Sequence, residues 1–437
     1  MTCAKTPTTP TRPRVPRTLS RVLLVTAALL NAALAVLVAA PLPRISLLVL
    51  VAAAVTSWGL VLALPAALGL AAAMAGGRRH PWSAGFAALS AFAALVYGVM
   101  PYAAAHGTAD DYGQPLDPAA YFEGVNYAKA PDGDRTRSYA RTGKRRGKLD
   151  LWTLPKRDGV RHPAVVWVHG GGWNKGHRGQ TPEWNRWFNE RGWSVFDIDY
   201  RLAPRVTQLD QIGDVKCAVG WVRRHARVYG IDPDRLVLAG SSAGGNLALA
   251  AAYTEGDDRV PASCAVRDSS VSGVISLYGP TDMRRLIAGT ALRRDPMIPR
   301  LMGGSAKKRG GVTVPARYRL GSPAKLVRTD VPPTLLLHGS ADRAVPVAQA
   351  RELARRLKTA GAPATYVELP WADHCFDVNW GGWGSQIARS AISRFLSVRG
   401  DGSAQGDGSA QGEDSTQGPV RGEATETDRH SPGKAPA

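Results

Sequence analysis

Cysteine is scarce, with four in 437 residues at positions 3, 217, 264 and 375. No two share the short spacing of a zinc or iron–sulfur ligand set, which excludes a cysteine-built metal site and a disulfide-dense scaffold. Cys217 and Cys264 read either as one disulfide, if that part of the chain lies outside the cell, or as two small buried hydrophobes. Acidic residues are also in deficit, 35 against 55 Lys and Arg, which leaves a formal net charge of +20. Such a surplus raises nucleic acid, anionic lipid or acidic glycan as partners. The basic residues are scattered, however, and lack an interleaved aromatic stacking surface, so no nucleic-acid module is expected. The denser clusters, "KRRGK" at 144–148 and "KKR" at 307–309, read as solvated loops.

Two other deficits divide the chain. Residues 22–105 have almost no charge, and residues 399–437 have almost no large apolar side chains. The tail repeats "DGSAQG", cannot bury enough apolar area to order itself, and is expected to be disordered. Near the other end, the uncharged run 22–40 is long enough to cross a bilayer core; a second run covers 45–75 and a weaker third 84–105. Three spans behind a basic leader, residues 1–21, place the rest of the chain outside the cytoplasm by the positive-inside rule. A cleaved signal peptide is the competing reading of the first run. The expected organisation is a multi-pass anchor at 22–105 in the cell membrane, a linker at 106–147, an extracytoplasmic catalytic domain at 148–398 and the tail.

Within 148–398, short apolar runs such as "AVVWVHG", "WSVFDIDY", "RLVLAGS", "VSGVISLYG", "PTLLLHG" and "ATYVELP" alternate with helical patterns at 182–191, 211–229, 243–253, 347–360 and 384–398. That rhythm predicts an α/β domain, a mostly parallel sheet with helices on both faces and its site beyond the carboxyl ends of the strands. Residues 283–332 break the rhythm with Gly, Pro and positive charge; they read equally as a lid or as a surface insertion with one short helix.

Chemistry concentrates at those strand ends. "VLAGSSAGGNLAL" fits G-x-S-x-G with Gly240, Ser242 and Gly244, between an apolar strand and a helix former. This is the context in which a sharp turn holds a serine hydroxyl exposed. A serine needs a base, and the base a carboxylate to hold its tautomer. Asp342 in "LLLHGSADRAVP" and His374 in "VELPWADHCFD" follow later strands in the order Ser, acid, His. Asp282 in "YGPTDM" is a rival acid and His338 a rival base, while Asp373 and Asp377 stand too close to His374 in sequence to be its usual partner. Cys375 reads as a packing residue. Three consecutive glycines in "VVWVHGGGWNKG" imply that bare backbone is wanted there. Attack on an ester creates an oxyanion that needs fixed N–H donors, and Gly171, Gly172 and Ala243 are placed to supply them, with His169 orienting the loop.

Together, "HGGGW", "DYRLAP", "GSSAGG", "LYGPTD", "HGSADRAVP" and "ADHCF" resemble the α/β-hydrolase superfamily, specifically hormone-sensitive-lipase-like and feruloyl-esterase-like bacterial carboxylesterases. The resemblance covers about 148–398. It implies the α/β-hydrolase fold, Ser242, Asp342 and His374 as triad, Gly171, Gly172 and Ala243 as oxyanion hole, and ester hydrolysis without metal or organic cofactor. It also assigns Asp214 a structural place. The expectation is a membrane-anchored serine carboxylesterase acting on small or envelope esters, with a short acyl group implied by resemblance. A serine peptidase or acyltransferase on the same fold, and outside enzymes a non-catalytic binding module, are the alternatives.

Overall fold

Alternate residues of the strand "HPAVVWV" face opposite ways, and both faces are covered. The chain is described by a computed structural model over residues 81–124, 135–142, 145–289, 297–303, 308–309 and 312–400, with a few isolated positions before residue 81. Its main sheet has eight strands in the order β1-β2-β4-β3-β5-β6-β9-β10. These are β1 (Thr136–Thr142), β2 (Arg145–Trp152), β3 (His162–Val168), β4 (Ser194–Ile198), β5 (Ile231–Ser241), β6 (Gly273–Leu277), β9 (Thr334–Gly339) and β10 (Ala364–Leu369). β1 pairs with β2, and β2 with β4, antiparallel; every other pairing in this sheet is parallel. A mostly parallel α/β sheet is therefore what the alternation produces.

The two faces make two cores. On β3, Ala164, Val166 and Val168 join one cluster with the helices α4 (Gln208–Arg224) and α6 (Ala243–Tyr253). Val165 and Trp167 join the other, with α3 (Pro182–Glu190) and α11 (Trp383–Gly400). The period of two residues along a strand thus sorts one apolar run into two hydrophobic layers. α4 starts at a capping box in which the Thr207 side chain accepts from Asp210 N–H and the Asp210 carboxylate accepts from Thr207 N–H. The helix expected over 211–229 breaks at His225, where α4 ends and the single turn α5 (Ala226–Tyr229) begins.

The expected linker is more structured than composition implies. α2 (Pro118–Glu123) and β1 lie inside it, so the sheet begins before residue 148. Gln386 of α11 clamps the start of α2, accepting from Asp117 N–H at 2.7 Å and donating to Asp117 O at 2.9 Å. The inserted stretch 283–332 holds α7 (Met283–Gly289), α8 (Met297–Leu301), a hairpin of β7 (Lys308–Arg309) with β8 (Val312–Thr313), and α9 (Val314–Leu320). Met283, Leu286, Ile298, Leu301 and Leu320 sink into the core it shares with α4 and α6.

The structure reaches the expected transmembrane helices ahead of the domain only in part. The third run, 84–105, is helical within α1 (Pro81–Asp110), but no helix among the described residues is long and apolar enough to cross a membrane. The end of α1 packs on the domain. Ala105 and Ala109 are buried in the second core, the Tyr102 ring lies 4.9 Å from Trp383, and His106 pairs with Asp110 at 3.1 Å. The earlier runs, 22–40 and 45–75, fall outside the described residues apart from isolated positions, and the tail from 401 to 437 falls outside them entirely.

Cys217 of α4 is joined to Cys264 by a disulfide with Cα atoms 5.6 Å apart, which resolves the two readings of that pair. The neighbouring Lys216 is buried; its ammonium donates to the carbonyls of Thr254 and Val260, and burial lowers its pKa to about 8. The bridge closes a loop across a sequence separation of 47 residues. Opening it by reduction, or by Cys217→Ala with Cys264→Ala, is expected to cost about 4 kcal/mol of stability. The urea midpoint of the reduced protein measures this, and an unchanged midpoint would refute it.

Candidate active site

Ser242 occupies a backbone conformation that few L-residues accept, φ 53° and ψ −121°. It stands where β5 ends and α6 begins. The turn is that tight because glycines admit close contacts on both sides. A Cβ on Gly244 would sit 2.1 Å from Val168 O, and one on Gly240 would sit 2.7 Å from both Gly244 O and Val168 O. Ser242 N–H donates to Leu277 O at 2.8 Å, which ties the turn to β6. Such local strain persists only where surrounding contacts impose it.

His374 follows β10 and Asp342 follows β9. Ser242 Oγ lies 2.9 Å from His374 Nε2, and His374 Nδ1 lies 2.8 Å from Asp342 Oδ2. The structure therefore brings these three predicted residues into one hydrogen-bonded chain. The other oxygen of Asp342 accepts from Ala344 N–H at 2.9 Å and Val345 N–H at 2.7 Å. His338 joins the same carboxylate: its Nε2 lies 2.9 Å from Val345 O and 3.2 Å from Asp342 Oδ2. It faces the acid from behind rather than the serine.

Electrostatics follow from this packing. Burial alone would push the Asp342 carboxyl up, but His374 and His338 outweigh it and hold the group far below the usual carboxylate range. Burial likewise opposes charging His374, yet the adjacent Asp342, aided by Asp373 and Asp377, raises its pKa above the ordinary imidazole value. Asp342 is thus ionised at neutral pH and ready to stabilise a protonated His374.

The rivals are engaged elsewhere. Asp282 caps α7, accepting from Arg284 and Arg285 N–H at 3.1 Å each, and meets Lys325 Nζ at 3.3 Å. Asp373 accepts from His374 N–H at 2.7 Å and from Arg343 N–H and Nη1 at 2.9 Å. It clasps the acid-bearing loop to the base-bearing loop. Asp214 takes the Arg201 guanidinium on both oxygens, the nearest contact at 2.7 Å. Cys375 adopts a left-handed turn beside His374, and burial pushes its thiol up.

The glycine loop lies beside Ser242. A Cβ on Gly170 would stand 3.4 Å from Ser242 Cβ. Gly171 has φ +114° and Gly172 φ +59°, and a Cβ on Gly171 would collide with Lys175 O at 2.3 Å. His169 is buried, its Nδ1–H donates to Gly170 O at 2.7 Å, and its ring stacks on Tyr200 with centroids 4.3 Å apart. Trp173 locks the far end of the loop, its carbonyl accepting from Ala203 N–H at 3.0 Å and Gln211 Nε2 at 2.8 Å. Ala243 opens α6, and the first N–H groups of a helix have no intrahelical acceptor. Among the described residues no group of three or more metal-ligating side chains is assembled.

Parts of the chain are similar to known proteins. Residues 149–357 match the BD-FAE family. Ser242, Asp342 and the glycine loop fall within the BD-FAE segment, and His374 lies beyond its end. Among curated relatives, a probable carboxylic ester hydrolase, LipM, of Mycobacterium tuberculosis is 35% identical over 61% of this chain and 61% of its own. Esterase LipQ of the same organism is 34% identical over 59% of this chain and 60% of its own. The chain thus spans about three fifths of the length of these relatives. Among solved structures, propionate-bound esterase 2 of Thermogutta terrifontis is 27% identical, with a TM-score of 0.51 over 62% of this chain and 96% of that one. The sheet is consistent with the α/β-hydrolase fold of these neighbours.

Two participants escaped the sequence. Arg343 carries no local signal, since its pairing with Asp373 spans 30 residues. Tyr278 sits inside the quoted "LYGPTD", yet nothing in that string says its ring packs against His374, centroids 4.7 Å apart.

His374 must be neutral to take a proton, so phosphonate labelling of Ser242 is expected to rise with pH through a midpoint above the ordinary imidazole value of about 6.5. Asp342→Asn removes the largest contribution holding that midpoint up, while burial persists. Its midpoint should fall below the parent's as the rate drops by orders of magnitude. Equal midpoints in the two proteins would contradict the electrostatic account.

Proposed function

We propose that the chain is a serine carboxylic ester hydrolase in which Ser242 is the nucleophile, His374 the general base and acid, and Asp342 the residue that fixes the His374 tautomer. The observation that carries this reading is the continuous path from Ser242 Oγ through His374 to Asp342, with the serine on a strained turn beside a glycine loop. The esterase names of the relatives support it.

As Ser242 Oγ attacks the ester carbonyl carbon, its proton passes to His374 Nε2 and the carbonyl oxygen becomes an oxyanion. N–H groups of Gly171, Gly172 and Ala243 stabilise that charge, with His169 holding the loop. Collapse breaks the bond to the alcohol oxygen, which takes the proton back from His374. Water then repeats the sequence on the acyl-enzyme and regenerates the serine. Asp342 remains ionised throughout. A short acyl group is the proposed preference; solved structures of the Thermogutta enzyme hold propionate and butyrate.

The proposed setting is the extracytoplasmic face of a membrane, with the apolar N-terminal runs as anchor. The uncharged runs 22–40 and 45–75 support this, as do the exposed Leu89, Phe92, Val99 and Met100 on α1. The Cys217–Cys264 bridge also fits an oxidising compartment. Protease added to intact cells should remove the C-terminal tail; a tail protected until lysis would reverse the orientation.

Ser242→Ala should abolish both phosphonate labelling and turnover of nitrophenyl acetate, propionate and butyrate, and a panel running to long chains and a prolyl amide would place the specificity. Gly171→Ala forces a side chain onto Lys175 O and should lower kcat about a hundredfold, with the fold retained by circular dichroism. Full activity in that variant would remove the glycine loop from the mechanism.

A further inference from the structure

Two hydrogen bonds, to Ser242 and to Asp342, define a line through the His374 ring but leave it free to rock about that line. Tyr278 supplies a contact off that line. It is the first residue after β6, takes φ 41° and donates its N–H to Leu337 O at 2.7 Å. A tyrosine held at positive φ is a strained arrangement that its neighbours must impose. Its ring meets the His374 ring edge to face, centroids 4.7 Å apart at 65°, and it is 3% exposed.

What holds Tyr278 there is a second carboxylate. Its hydroxyl donates to Asp377 Oδ1 at 2.5 Å, and Trp184 Nε1–H donates to Asp377 Oδ2 at 2.8 Å. Trp184 is 1% exposed and stacks on Trp167 of β3 at 5.7 Å. Asp377 lies three residues beyond His374, on the short 3-10 turn Phe376–Val378. One carboxylate therefore ties the base-bearing turn to α3 and β6, just as Asp373 ties its upstream side to the acid loop.

We propose that Asp377 and Tyr278 act as one positioning unit for the base: the carboxylate anchors the phenol, and the phenol ring fixes the orientation of His374 toward Ser242. The inference rests on the reading of Ser242, His374 and Asp342 as a triad. Neither residue touches the reacting atoms, so the cost of losing them appears in the geometry of proton transfer. Small displacements of a catalytic group reduce rate steeply while leaving substrate binding in place.

The test compares Tyr278→Phe, Asp377→Asn and the double variant in the full chain, with Ser242→Ala as reference. Tyr278→Phe keeps the ring and removes only the hydroxyl. It is expected to lower kcat and the phosphonate labelling rate by about the same factor, roughly tenfold, with KM within about twofold of the parent. The double variant should fall no further than the worse single one, because both substitutions break one link. Kinetic midpoints should separate the two: Asp377→Asn removes a charge that helps raise the His374 pKa and shifts the midpoint down, whereas Tyr278→Phe leaves it in place. Parental kcat in Tyr278→Phe, losses that multiply in the double variant, or a fall in kcat matched by a rise in KM would overturn the proposal. Should Asp377→Asn lose its near-ultraviolet circular dichroism, the kcat-against-KM split of Tyr278→Phe decides alone. Turnover surviving in Ser242→Ala would instead remove the triad reading itself, which keeps the two failures apart.

Discussion

The approach of α6 to the end of β3 constrains everything around the site. Gly244 brings its backbone so close to Val168 that no other residue fits, since any Cβ would stand 2.1 Å from the Val168 carbonyl. That contact fixes where β5 must turn and forces Ser242 into its strained conformation. It also holds the start of the glycine loop, which leaves β3 one residue later, against Ser242. A single packing requirement thereby links the serine and the bare backbone beside it. Neither would be placed by the parallel ladder alone, because β3 and β5 pair only as far as Val168 with Gly240.

From that constraint the site extends outward in shells of decreasing generality. The parallel register of β9 and β10, Leu369 opposite Gly339, brings the acid loop and the base loop out of the sheet side by side. Asp373 and Arg343 then lock those loops together, and the Asp342 carboxylate is fixed by two backbone donors and two histidines. These bonds have a common electrostatic result. A carboxylate that burial would protonate stays ionised because imidazoles and N–H groups surround it, and that negative charge in turn raises the affinity of His374 for a proton. Orientation and proton affinity of His374 have the same structural source.

How much of this was legible in the sequence follows from the range of each interaction. Strand runs, the Ser242 turn and the glycine loop were readable because their causes are local: apolar alternation, a small-residue turn and consecutive glycines each act within a few positions. Asp342 and His374 were readable from their order and their places just after strands. β1 was not, because "TRSYART" carries little apolar signal and forms a strand only by pairing at the sheet edge with β2. The packing of the end of α1 was not legible for the complementary reason. Its apolar composition suits lipid and protein equally, and only the partner surface around Trp383 distinguishes them. In the 283–332 insertion, positive charge drew attention to the surface while Leu286, Ile298 and Leu301 were entering the core.

Charge placement offers a sharper contrast. Three carboxylates, Asp342, Asp373 and Asp377, lie close to His374 in the fold, yet only one accepts from its ring. In water, three acids near one imidazole would be interchangeable; in the protein they differ by where their oxygens are held. Asp373 is filled by Arg343 and a backbone N–H, Asp377 by a phenol and an indole, and only Asp342 keeps a lone pair directed at Nδ1. The direction in which each carboxylate is held, rather than proximity or sequence spacing, therefore decides which one accepts from the His374 ring. Asp282 also follows a strand, but its oxygens are turned to the start of α7 and to Lys325.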